Sequence, residues 1–196
     1  MDNPFRSIEI LQTRLLNSGI VSIVIGGVAV GIWGEPRVTR DIDIKVHLKR
    51  SEANRLLEIL SDDYKSLITD PFEALEKQAL VFVEDRYGTR LDLLLADTPY
   101  DVLAIERGKE IEIEPTSIIR VCTPEDLIIY KMTSTRLRDH EDVRGIIRRQ
   151  GDSLDDDYVQ DWLRQFEQAF DITGLEKEYI ELRKGQRPHR QWLNQE

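Results

Sequence analysis

The sequence predicts an α+β protein: a mixed β-sheet flanked by helices, followed by a C-terminal helical lobe. Three observations carry this. Short β-branched or apolar runs are interleaved with helical patterns up to residue 121. One run, Asp41–His47 (DIDIKVH), alternates polar and apolar strictly, as a strand with one polar face does. From Thr123 onward the pattern is helical almost to the end.

The elements follow in chain order. Pro4–Asn17 spaces Ile8, Leu11, Leu15 and Leu16 as an amphipathic helix, with Gly19 as terminator. Ile20–Ile25 (IVSIVI) reads as a buried strand, Gly26-Gly27 punctuate it, and Val28–Trp33 forms a short helix. Pro36 makes Glu35–Arg40 a loop before the Asp41–His47 strand, and Ser51 caps a helix through Leu60. Ala79–Glu84 and Thr89–Ala96 are strands joined across Asp85–Gly88 (DRYG), a hairpin-length break. Pro99–Arg107 is helical, and Lys109–Glu114 with Ser117–Val121 forms a second hairpin or an edge, giving four to six strands. Thr123-Pro124-Glu125-Asp126 opens a helix with an N-cap, a first-turn proline and acids at the positive dipole end. The helix Leu154–Phe170 carries Tyr158, Trp162, Phe166 and Phe170 on one stripe, which reads as core or a dimer contact. The expected division is a core at 1–121, a helical lobe at 122–184 and a disordered tail at 185–196.

Composition narrows the classes. The chain has 196 residues, 40% hydrophobic and 33% charged, enough for a real core without metal or disulfide staples. Its one cysteine, Cys122, excludes an intrachain disulfide and points to a reducing, cytoplasmic compartment. No apolar run approaches the ~18 residues of a membrane span, and the N-terminus lacks the pattern of a secretory signal. With 27 Lys and Arg against 37 Asp and Glu, the net charge of −10 argues against field-driven duplex DNA binding. The charge is uneven: Asp152–Asp157 is acidic, Arg183–Arg190 basic.

The residues that can carry chemistry are few. Asp41 and Asp43 lie at i and i+2 of a strand, on one face and roughly 6.6–7 Å apart along the backbone. Such carboxylates repel unless a cation sits between them, and an all-oxygen set suits Mg²⁺; the alternative is a solvated strand face bearing two acids by chance. Asp92 is the only polar residue in Leu91–Ala96 and needs a partner: Arg90 on the same face, a backbone donor, or a metal shared with Asp41 and Asp43. Gly26-Gly27 allow close backbone approach and precede a helix N-terminus that can receive an anion, although such pairs also simply turn corners. Arg37 and Arg40 flank the Asp41–Asp43 strand, placed for phosphate or acceptor contacts or for ion pairs to Asp41 or Glu35. Lys131 lies in an apolar helical run, where a lysine ordinarily snorkels to solvent. Asp139 and Asp142 fit an N-cap and its N3 acid for a helix Glu141–Arg149. Arg136, Arg138, Arg144, Arg148 and Arg149 read as a solvated basic face, or as a surface for RNA phosphates together with the basic tail. His47, His140 and His189 lack metal-ligand spacing with the cysteine, and neither a Gly-x-Ser-x-Gly nor a P-loop lysine motif occurs.

The order strand–Gly-Gly–short helix–loop–Asp-x-Asp strand–later aspartate resembles the DNA polymerase β-like nucleotidyltransferase superfamily. The segment IGGVAVGIWGEPRVTRDIDI, with TPEDLIIYKMTSTRLRDHEDV, resembles more narrowly its AbiEii/AbiGii-type, toxin-like group. The resemblance covers about residues 20–150. It implies the nucleotidyltransferase fold and a transferase moving NMP from an NTP to an acceptor hydroxyl. Asp41, Asp43 and Asp92 would be catalytic and would ligate two Mg²⁺ ions. Gly26 and Gly27 would lie against the β- and γ-phosphates, with Arg40 and Lys131 binding the nucleotide. Polymerase-like branches usually carry Ser at the second glycine, so at Gly27 one phosphate contact would come from backbone alone. The acceptor implied is tRNA, with an antitoxin protein as partner and a role in toxin–antitoxin or phage defence. The alternatives are a small-molecule, aminoglycoside-like nucleotidyltransferase and a non-catalytic NTP-binding module on the same fold.

Overall fold

The computed structural model describes residues 4–114, 117–134 and 136–186. Their chain forms two compact units, Met1–Gly31 with Arg37–Thr123, and Ile32–Pro36 with Pro124–Glu196. The expected tail begins at 185, so its residues 187–196 lie outside the described residues.

The first unit is built on a mixed sheet. Its strands are β1 (Ser22–Val24), β2 (Ile42–Val46), β3 (Tyr64–Ser66), β4 (Leu80–Asp85), β5 (Arg90–Leu95), β6 (Lys109–Glu114) and β7 (Ser117–Val121). The spatial order is β3-β4-β5-β2-β1-β7-β6. Two parallel pairs, β2 with β5 and β1 with β7, sit among antiparallel ones, which makes the sheet mixed as the sequence predicts. The seven strands exceed the expected four to six because β3 was not anticipated: three residues are too few to show a period.

The helices of this unit are α1 (Pro4–Asn17), α2 (Gly26–Trp33, which runs into the second unit), α3 (Ala53–Leu60), α4 (Pro71–Gln78) and α5 (Pro99–Arg107). α2 starts at the glycines themselves, so Gly26-Gly27 form its first turn rather than a separate corner. The Ser51 cap is not formed: a 3-10 turn occupies Arg50–Glu52 and α3 begins at Ala53 without a side-chain cap. α4 was also unanticipated, although Asp70 accepts from Glu73 N and Pro71 opens the helix.

Alternation along β2 is as predicted. Ile42, Ile44 and Val46 are buried, each contributing about 1.5–3 kcal/mol on leaving water. Asp41 and Asp43 are half-buried. Farther along the same strand Lys45 is buried against Asp101 of α5, 2.7 Å away, so the polar face of β2 is covered at one end.

The second unit contains α6 (Pro124–Met132), α7 (Leu137–Gln150), α8 (Asp156–Phe170) and α9 (Leu175–Gln186). α6 packs on α7 and α8, and α9 on α7 and α8. On α8 the buried residues are Val159 and Leu163. The aromatic stripe lies beside them instead of forming the core: Tyr158, Trp162 and Phe166 are half-buried, Phe170 is exposed, and successive rings lie 6.5, 6.1 and 5.6 Å apart. The segment Trp33–Glu35 is tied to this unit by Gln150 on Trp33 O, Arg149 on Gly34 O and an Arg148–Glu35 ion pair. Part of the basic face is therefore structural, and Glu35 is paired with Arg148. No described helix is long and apolar enough to cross a membrane.

Candidate functional site

The antiparallel pairing of β1 and β2 brings the end of β1 beside the start of β2. Ile25 N donates to Asp43 O at 2.9 Å, so Gly26, the next residue, opens α2 directly beside Asp43. Gly26 has φ +62°, and a methyl group there would lie 1.8 Å from Asp43 Oδ2. Only glycine satisfies both conditions, the left-handed backbone and the carboxylate above it. At Gly27 a Cβ would lie 2.6 Å from Thr39 Oγ1 and 3.6 Å from an Arg37 guanidinium nitrogen. The place where a side chain at 27 would stand is thus filled by the Thr39 hydroxyl, with Arg37 next to it. Thr39 also reaches Asp41, within 3.0 Å of its main-chain oxygen and 3.1 Å of Oδ1. Sequence reading gave Thr39 no role; the signal was its position two residues before Asp41, within reach of an ST-type turn.

The third acid arrives through the parallel pairing of β2 and β5, which sets Asp43 opposite Asp92 in register. Strands about 4.8 Å apart make them adjacent. Asp92 is buried, and Arg90, two residues earlier on the same face, grips it with two hydrogen bonds, Nε–Oδ1 at 2.7 Å and Nη2–Oδ2 at 3.0 Å. The guanidinium lies over the ring of Phe82, which is Asp92's partner across β4 and β5. The Arg90 pKa is raised, chiefly by the hydrogen bond to Asp92, with burial opposing and then the charges of Asp92, Asp41 and Asp43 adding. One guanidinium therefore answers to all three carboxylates.

In this first unit the structure gathers Gly26, Gly27, Asp41, Asp43 and Asp92, as expected, and adds Thr39, Arg37 and Arg90. Arg40 is exposed on the bend before Asp41. The donor set fits Mg²⁺: oxygen ligands on neighbouring strands, a bare glycine cradle and a helix N-terminus beside them. Among the described residues, no group of three His, Cys, Asp or Glu is arranged to hold a metal ion as it stands. Thr39 holds Asp41, Arg90 holds Asp92, and Asp43 lies against Gly26.

Lys131 belongs to the second unit. It does not snorkel: it is buried, with Nζ 2.5 Å from Asp139 Oδ1 and 2.9 Å from Asp142 Oδ2. The N-cap reading of Asp139 and Asp142 fails with it. α7 starts at Leu137 behind Arg136, which places both acids inside the helix, three residues apart on one face.

Fold and site together define a protein with the nucleotidyltransferase fold. Solved structures with this fold show the likeness. One is ANT(2″)-Ia in complex with adenylyl-2″-tobramycin, at TM-score 0.55 and 15% identity, covering 85% of this chain and 98% of that one. Another is an antigenic nucleotidyltransferase-like protein from Paracoccidioides brasiliensis, at TM-score 0.52 and 17% identity, covering 73% of each chain. No protein-family profile and no curated protein matches the chain in sequence.

Proposed function

We propose that this chain is an Mg²⁺-dependent nucleotidyltransferase that moves NMP from an NTP to an acceptor hydroxyl, releasing pyrophosphate. The observation that carries the reading is the register pairing of Asp43 with Asp92 beside Gly26, whose missing side chain makes room for the Asp43 carboxylate. Asp41 and Asp43 would hold two Mg²⁺ ions with Asp92. When bound, Mg²⁺ neutralises triphosphate charge and stabilises the attacking and leaving oxygens of an in-line displacement.

The chain's own groups supply the rest. The first turn of α2, at Gly26 and Gly27, offers backbone N–H donors to the β- and γ-phosphates. Thr39 keeps Asp41 aimed, and its hydroxyl stands where a side chain at 27 would meet phosphate. Asp92 takes the proton of the acceptor hydroxyl as its oxygen bonds to the α-phosphorus and the bond to pyrophosphate breaks. Arg37 and Arg40 would bind phosphate from the loop before β2. Lys131 is held between Asp139 and Asp142 inside its own unit, which favours a structural role for it over the nucleotide contact that the resemblance implies.

Within this chemistry we read the chain as AbiEii/AbiGii-like, with tRNA as acceptor, an antitoxin as partner and a cytoplasmic workplace; the buried Cys122, which is in no disulfide, fits a reducing compartment. A small-molecule acceptor is the second reading, favoured by the net charge of −10, which suits a cationic acceptor better than a polyanion, and by the likeness to a structure holding adenylyl-2″-tobramycin. Label transfer separates them. Protein, Mg²⁺ and each α-³²P-NTP are mixed with total RNA or with a small-metabolite extract. Label in tRNA-sized RNA supports the first acceptor and label in small molecules the second. NTP binding with no transfer to either pool points to a binding module.

A further inference from the structure

The Arg90 guanidinium occupies the acid cluster in a particular way. It is bidentate on Asp92, feels Asp41 and Asp43, and rests on a ring supplied by the neighbouring strand. Its side chain is nevertheless 44% exposed, whereas that of Asp92 is 11% exposed. The carboxylate is fixed in the sheet and the cation is not. A half-exposed ion pair of this kind is held weakly enough to open, and a planar guanidinium over an aromatic face has a second place to stay once its carboxylate is taken.

From this, and resting on the metal-site reading above, we infer that Arg90 is a tethered counter-ion for Asp92: a divalent cation reaches Asp92 only by displacing Arg90, which then stays over Phe82. The exchange is of charge for charge. Asp92 gives up two guanidinium N–H bonds and takes one metal–oxygen bond, and the arginine keeps its proton throughout. The Asp92 carboxylate is thereby kept from repelling Asp43 across the two strands before metal arrives. Apparent metal affinity is lowered by the fraction of molecules in which Arg90 is docked. The same device explains why Asp92 tolerates its buried position in a strand that is otherwise apolar.

The test uses Mn²⁺ as probe on the full chain. Mn²⁺ binding is followed by the loss of the free-ion electron paramagnetic signal. Arginine exposure is followed by phenylglyoxal modification, mapped by peptide mass, with Arg86, 59% exposed, as internal reference. In the wild type, Mn²⁺ should raise modification of Arg90 at least about threefold and leave Arg86 unchanged. Asp92→Asn should leave Arg90 reactive without metal. Arg90→Gln should bind Mn²⁺ on the order of tenfold tighter, the gain expected when the competent form is ~10% populated, and Arg90→Lys should fall between. Mn²⁺ binding that leaves Arg90 as protected as before would overturn the exchange while sparing the metal site. Failure of the wild type to bind Mn²⁺, with Asp43→Asn behaving identically, would overturn both.

Discussion

The two units each hold acids around a cation, and the two arrangements differ in kind. In the first, the half-exposed Arg90 holds Asp92, which sits on a strand of the sheet with Asp43 opposite it in register. In the second, Lys131 is buried between Asp139 and Asp142, with side chains 11%, 8% and 5% exposed. A half-exposed ion pair is held weakly and can exchange its cation for another. A lysine buried between two acids takes an ion pair from each when it is removed. On the proposed reading, the first arrangement receives a ligand and the second holds its unit together.

Substitutions should separate the two. The largest effect belongs to Asp43→Asn: nucleotidyl transfer falls at least about 10³-fold, several kcal/mol of transition-state stabilisation. The variant should still unfold cooperatively, which calorimetry beside the label assay reads. Lys131→Met should do the reverse, losing about 3–5 kcal/mol of stability in denaturant titration because two buried carboxylates lose their ion pair to the lysine. The part of it that remains folded should keep most of kcat. Gly26→Ala comes next. The new methyl group must push Asp43 aside on a left-handed backbone, costing about 1–3 kcal/mol of stability and about 10²-fold in activity. The smallest effect is expected from Thr39→Val, which keeps shape and loses the hydrogen bond to Asp41: a 10–100-fold drop in metal affinity or activity, with stability changed by under about 1 kcal/mol.

The legibility of the sequence divides along the same line. The Asp41–Asp43 strand could be read because a period of two over seven residues is hard to produce by chance, and its core face is buried as expected. Asp92 stood out as a lone acid in an apolar run; of the three partners named for it the structure shows Arg90, with Asp43 opposite it in register. Nothing local tells that β2 and β5 are parallel neighbours, so the register of Asp43 with Asp92 could not be read from the chain. Thr39 was part of the pattern that carries the resemblance, but its role was missed for the same reason. Its role depends on a close approach to Gly27 across a loop, not on any repeat. In the second unit, Asp139 and Asp142 were read as capping residues because Asp-x-x-Asp before a helix satisfies that pattern. The helix instead begins earlier, and long-range ion pairing with Lys131 decided the outcome. The aromatic stripe misled for a simpler reason: helical spacing defines a face, and the neighbouring Val159–Leu163 line took the core.

The central claim is that the strand carboxylates of the first unit perform phosphoryl transfer. It is tested most directly by following α-³²P and γ-³²P labels of one NTP in parallel, with Mg²⁺ and the responsive acceptor pool, in wild type and Asp43→Asn. The account predicts that the α-label moves to acceptor while the γ-label leaves as pyrophosphate. It also predicts that both events vanish in Asp43→Asn while the variant still unfolds cooperatively. Transfer of the γ-label to acceptor, or α-transfer that persists in Asp43→Asn, would contradict it.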